Sequence, residues 1–183
     1  MASLLIKEVL LVNEGRTCER DVLIRNGRIQ QLAANINATK SDRVIEGNGR
    51  YLLPGMIDDQ VHFREPGLTH KGDIATESAA AAAGGITSFM DMPNVVPRTT
   101  SRELLAERYA LAEGRARGNY AFYLGATNSN MDQVRALATS EACGVKVFMG
   151  ASTGEMLVDD ERALNAIFAE SPLLIATHCE DTP

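Results

Sequence analysis

The sequence predicts an α/β protein: an incomplete TIM-like (β/α) barrel of about five βα units, preceded by a small N-terminal β-sandwich portion. Three observations carry this expectation. The first fifty or so residues hold strand patterns and turn signals, with no helical periodicity. After Pro54-Gly55 short apolar runs alternate with helical segments, as βα units require. Polar residue types gather at the ends of those runs, where barrel sites lie. The boundary falls between residues 1–54, strands of the small β domain, and 55–183, the first part of the barrel domain.

In the leader, residues 4–12 are apolar-rich, and residues 21–24 and 28–32 flank Asn26-Gly27. Asn-Gly is a strong hairpin signal because both central turn positions need positive φ. Five barrel strands follow at residues 56–62, 86–92, 120–124, 145–149 and 173–178. Helices are expected between them. Residues 73–83 are alanine-rich and stop at Gly84-Gly85; residues 101–117 start at a capping box made by Thr100 and Glu103 and end at Gly118. Residues 131–140 follow Asn130 as N-cap, and residues 159–170 stop before Pro172. No G-x-G-x-x-G follows the first of the five strands, which disfavours an open dinucleotide-binding sheet. A complete barrel takes about 250 residues and eight strands. With 183 residues and a fifth strand near its end, the chain is expected to be part of a barrel.

The apolar fraction of 45% suffices for a buried core. A net charge of -6 with interspersed signs excludes the basic face that nucleic acid or an anionic membrane needs, and leaves a small molecule as the expected ligand. Cys18, Cys143 and Cys179 are an odd number at unrelated spacings, which fits reduced thiols in a cytoplasmic protein. The N-terminal apolar run is broken by Lys7 and Glu8 and lacks a basic leader, so no signal or membrane span is expected.

The most informative stretch is PGMIDDQVHFREPG, residues 54–67. His62 closes the strand and Arg64 enters a loop rich in glycine and proline. A lone strand-end histidine is usually a satisfied packing residue; the adjacent Arg64 and Glu-Pro-Gly loop turn the reading to a metal ligand. Gln60, two residues earlier, shares its strand face but is a weak zinc donor, so it lines the site as a doubtful ligand. Lys146 sits within the β-rich run GVKVFMG. Its bland reading is an edge lysine reaching solvent. Its functional reading is a desolvated neutral amine that takes up carbon dioxide and becomes an anionic oxygen ligand. Arg64 offers a fork that fits a carboxylate, and Asn94, in the Met92-Pro93-Asn94 turn, offers a donor and an acceptor. His70 lies in an expected exposed loop and is a second choice for leaning over the site. His178 closes the fifth strand. Cys179 and Glu180 alternate away from it, the first read as small packing and the second as solvated or supporting.

These motifs resemble the amidohydrolase superfamily, whose first strand usually ends His-x-His, and the run Phe63-Arg64-Glu65-Pro66-Gly67 is similar to dihydroorotases and their cyclic-amidohydrolase relatives. Gln60 stands where the first histidine of that pair is expected. The resemblance covers essentially the whole chain. It implies zinc, one or two ions, held by His62, a carboxylated Lys146 and His178, with Arg64 and Asn94 on the substrate carboxylate. The implied reaction is reversible hydrolysis of dihydroorotate to N-carbamoyl-aspartate in pyrimidine biosynthesis. No catalytic residue is expected within the chain itself, because the family's aspartate proton shuttle lies on later strands, beyond residue 183. The chain alone is therefore expected to be inactive, and to associate as a homo-oligomer, with the rest of its own protein or with a pathway enzyme. Two rival readings remain: another cyclic amidohydrolase, a hydantoinase or allantoinase, and a non-catalytic homologue acting as a scaffold for a partner enzyme.

Overall fold

The computed structural model describes residues 3–40, 42–150 and 156–180, divided into two compact units, Met1–Pro54 and Gly55–Pro183. In the first, β1 (Ser3–Asn13) pairs antiparallel with β2 (Arg16–Arg25), and β2 with β3 (Arg28–Ala33). Asn26 and Gly27 both take positive φ, 54° and 71°, as the hairpin signal requires. The strand expected at 21–24 runs longer because Glu14 and Gly15 form a second turn with positive φ at both positions. β4 (Asp42–Glu46) and β5 (Tyr51–Leu52) add parallel to opposite ends of β1. The unit is a single sheet, one layer of the expected sandwich. Buried Asp21 accepts from Glu8 N and Ile36 N and pairs with Lys7, so the Glu8 amide is satisfied at the bulge in β1.

The second unit contains β6 (Met56–Val61), β7 (Ile86–Asp91), β8 (Asn119–Gly125), β9 (Gly144–Phe148) and β10 (Ile175–His178). All neighbours pair in parallel, and their spatial order is their sequence order. That is the winding of a (β/α) barrel; a doubly wound sheet reverses its order at a switch point. The pleat sorts the side chains. Val61, Phe63, Phe89, Phe122, Leu124, Val145 and Val147 join the core with Ile74, Leu105, Ala112, Val134 and Ile167 from the helices. Residues of the opposite parity, including Gln60, His62, Lys146 and His178, belong to the barrel-interior face.

The helices correct the expected boundaries. α1 (Ile74–Ala83) is capped by Asp73, which accepts from Ala75 N and Thr76 N, and it ends at Gly84 as read. α2 spans Arg102–Ala112; its cap is Ser101, whose side chain accepts from Leu104 N, in place of Thr100. It ends five residues early because Gly114 takes φ 69° and turns the chain. α3 is a short helix, Met131–Arg135. Asn130 precedes it without capping, because its side chain is committed to Thr127 N, Thr100 O and Gly125 O. α4 (Glu161–Glu170) starts at the Asp160 cap.

Candidate functional site

At the carboxyl ends of β6 and β7 two loops are stitched together. Phe63 N donates to Asp91 Oδ1 at 3.2 Å, Met92 N to Val61 O at 3.0 Å, and Val96 N to Pro66 O at 3.1 Å. Gly67, at φ 78°, allows this approach, since a Cβ there would lie 2.2 Å from Val96 O. The stitching brings His62 to Asn94: Nδ1 lies 2.9 Å from Asn94 Oδ1. With the amide oxygen accepting, Nδ1 carries the proton and Nε2 keeps its lone pair for another ligand. Burial first, then the Arg64 cation, hold the imidazole below its ordinary pKa, so it is neutral at pH 7. Arg64 is half-buried, with a left-handed φ of 67° directly after His62 and Phe63.

Lys146 lies in the middle of β9, where every residue is buried, and is itself 3% exposed. The edge reading is thereby overturned: β9 is flanked by β8 and β10, so its lysine has no route to solvent along an edge. No carboxylate pairs with it among the described residues. Its Nζ stands 5.0 Å above the centre of the Phe148 ring, and burial lowers its pKa. In the β9–β10 register Ala176 faces Lys146 and His178 faces Phe148, with the imidazole and phenyl centres 5.8 Å apart. An open cleft of about 350 Å³ is lined by Gln60, Lys146, Thr177, His178, Cys179 and Glu180. The lining draws on β6 through Gln60, on β9 through Lys146 and on β10 through Thr177 and His178.

Cys179 was expected as packing, yet it is exposed in the cleft with Glu180, because β10 ends at His178 and the pleat alternation does not continue beyond it. His70 is exposed in the loop before α1, apart from this group. Among the described residues no three His, Cys, Asp or Glu side chains form a group able to hold a metal. Sequence reasoning missed the buried Asp91–Arg108 ion pair behind the loops. The available signal was Arg108 on the apolar stripe of α2 with Leu105 and Ala112.

Parallel βα units in barrel order, with imidazoles at strand ends and a desolvated lysine in mid-strand, are part of a (β/α) barrel that carries polar groups on its interior face. The dihydro-orotase-like family model matches residues 49–153, more than half of the chain, which therefore belongs to that family. A dihydroorotase of Methanosarcina acetivorans is 35% identical over 164 residues, 88% of this chain and 35% of the relative. An allantoinase of Bacillus velezensis is 33% identical over 162 residues, 87% of the chain and 36% of the relative. Among solved structures, the L-hydantoinase (dihydropyrimidinase) from Arthrobacter aurescens superposes with a TM-score of 0.91 at 28% identity, over 99% of this chain and 41% of that one. The chain thus spans little more than a third of the relatives' length. No helix among the described residues is long and apolar enough to cross a membrane.

Proposed function

We propose that this chain carries the metal-ligating and carboxylate-binding part of a cyclic amidohydrolase, with dihydroorotate as its substrate. What supports this reading is the cleft that Gln60, Lys146 and His178 line together, with His62 two residues beyond Gln60 and with a buried lysine that has no counter-ion among the described residues. Desolvation lowers the cost of reaching the neutral lysine amine, the form that adds to carbon dioxide; an N–C bond forms, one proton leaves to solvent, and the product is a carbamate anion. Two imidazoles and that carbamate are a donor set suited to zinc, whereas the unmodified amine is not. Zinc held by His62, Lys146 and His178 would supply Lewis acidity toward the ring carbonyl and activate water near neutral pH.

The rest of the chemistry falls to the chain's own side chains. Asn94 keeps the proton of His62 on Nδ1. The Arg64 side chain, two residues after His62, has no hydrogen-bond or ion-pair partner among the described residues, and its fork suits a planar carboxylate on the ring, which favours dihydroorotate over the uncharged rings of hydantoin and allantoin. Hydrolysis adds water across the ring amide: hydroxyl goes to the carbonyl carbon, and the ring nitrogen leaves with a proton. In this reading the carboxylate that shuttles that proton comes from residues outside this chain, as do any later metal ligands.

Gln60 and the lack of a His/Cys/Asp/Glu triplet among the described residues favour a second reading, a scaffold homologue without catalysis. The test is ring opening by the full-length protein with zinc and bicarbonate, offered dihydroorotate, hydantoin and allantoin in parallel. Preferential opening of dihydroorotate supports the proposal, preference for an uncharged ring refutes the substrate, and inactivity at full zinc occupancy favours the scaffold.

A further inference from the structure

We propose that the buried Asp91–Arg108 ion pair is a positioning device that sets His62 and Arg64 against Asn94. Arg108 is 1% exposed and Asp91 fully buried. The guanidinium comes from α2, on the helix-covered face, outside the cleft. Its Nη1 donates to Met92 O at 2.8 Å and to Thr99 Oγ1 at 3.4 Å, and its Nη2 to the Asp91 carboxylate. Met92 and Thr99 bracket the turn that carries Asn94. The other Asp91 oxygen accepts from Phe63 N, the residue between His62 and Arg64. One ion pair therefore fixes both loops of the candidate site, and Arg108 further packs 4.4 Å over the centre of the Phe122 ring, on core strand β8.

Energetics point the same way. Arg108 Nε is buried without a hydrogen-bond partner among the described residues, and burial works against charge on both partners, raising the Asp91 pKa and lowering that of Arg108. Apolar residues of matching size would stabilise such a position at least as well as a buried ion pair does. What apolar residues cannot do is accept from Phe63 N and donate to Met92 O together. The pair's distinctive contribution is geometry.

This inference rests on the cyclic amidohydrolase reading for its kinetic consequence and on structure alone for its positional one, so the test reads both. In the full-length protein, Asp91→Leu/Arg108→Met removes the pair without leaving a buried charge, and Arg108→Lys keeps the charge but loses the fork. The crystal structure of either variant is expected to show the His62 Nδ1 to Asn94 Oδ1 separation, 2.9 Å in the parent, opened beyond about 3.5 Å. With folding retained, kcat/KM for dihydroorotate should fall on the order of 10- to 100-fold, through KM where Arg64 shifts and through kcat where His62 shifts. An uncharged cyclic amide should keep its KM and lose only the kcat part, a split that general destabilisation does not produce. A variant that folds with the 2.9 Å contact intact overturns the proposal whatever its activity. Should the parent open no ring, the function proposed above fails, while the crystallographic comparison still decides the positioning.

Discussion

Replacing Lys146 by methionine should change stability with opposite sign depending on metal. The side chain is 3% exposed between the fully buried Val145 and Val147, with a phenyl ring beside its ammonium and no carboxylate partner among the described residues. Methionine matches the stem in length and adaptability, so packing is largely kept while the cost of burying a charge disappears. That cost is on the order of 1 to 3 kcal/mol for a partly compensated polar group, and the metal-free variant should be more stable by this amount at pH 7. The pH dependence follows from the lowered pKa. Between the folded-state value and the ordinary 10.5, the unfolded chain binds a proton that the folded chain resists, so the parent gains stability as pH rises through that window. The advantage of methionine is therefore complete at pH values below the depressed pKa and fades toward 10.5. Zinc and bicarbonate reverse the comparison: a ligand at 100 times its Kd stabilises the parent by about 2.7 kcal/mol, and the variant forfeits its share of that. The assay is thermal unfolding of the full-length parent and variant, in chelator and in zinc plus bicarbonate, across pH 6 to 10. A variant less stable than the parent in chelator would show that Lys146 is a satisfied structural cation. A variant more stable by the same margin in both media would remove Lys146 from metal binding.

Four further outcomes are expected. Arg64→Ala should lose roughly 2 to 4 kcal/mol of transition-state stabilisation for a carboxylate-bearing ring, and Arg64→Lys should also suffer because a point charge does not replace the fork; unchanged kcat/KM in both excludes Arg64 from the site. Gln60→His should raise zinc affinity, since imidazole is the better donor, and equal affinity and stoichiometry by titration would refute that. The isolated chain should self-associate, because Met56, Ile57 and Leu174, in or beside its edge strands, are 57%, 65% and 68% exposed; a monodisperse 19.8 kDa species in native mass measurement would contradict this. Burial pushes the Cys143 thiol up to about 12, so alkylation near pH 8 should modify exposed Cys179 well before Cys143, and equal rates would argue against the burial described.

The sequence by itself determined the class of fold and the identity of the site strands. Alternating apolar runs and capped helices are local patterns, and Asn26-Gly27, Asp73 and Gly84-Gly85 act within a few residues of their own position, so these features were legible without coordinates. Lys146 and His178 were legible as strand residues because a period of two assigns them a face, and His62 as the residue that directly follows β6. Tertiary structure decided what surrounds each of them. That Lys146 is interior and uncompensated depends on β8 and β10 flanking its strand, contacts made with residues more than twenty positions away. The bond from His62 to Asn94 spans 32 residues and depends on the stitching of two loops. Cys179 was misread because an alternation rule holds only while the strand continues, and where a strand ends is set by its partners. Arg108 was hidden for a related reason: an arginine in a helix reads as solvated until the carbonyl and carboxylate that receive it are brought there by the sheet.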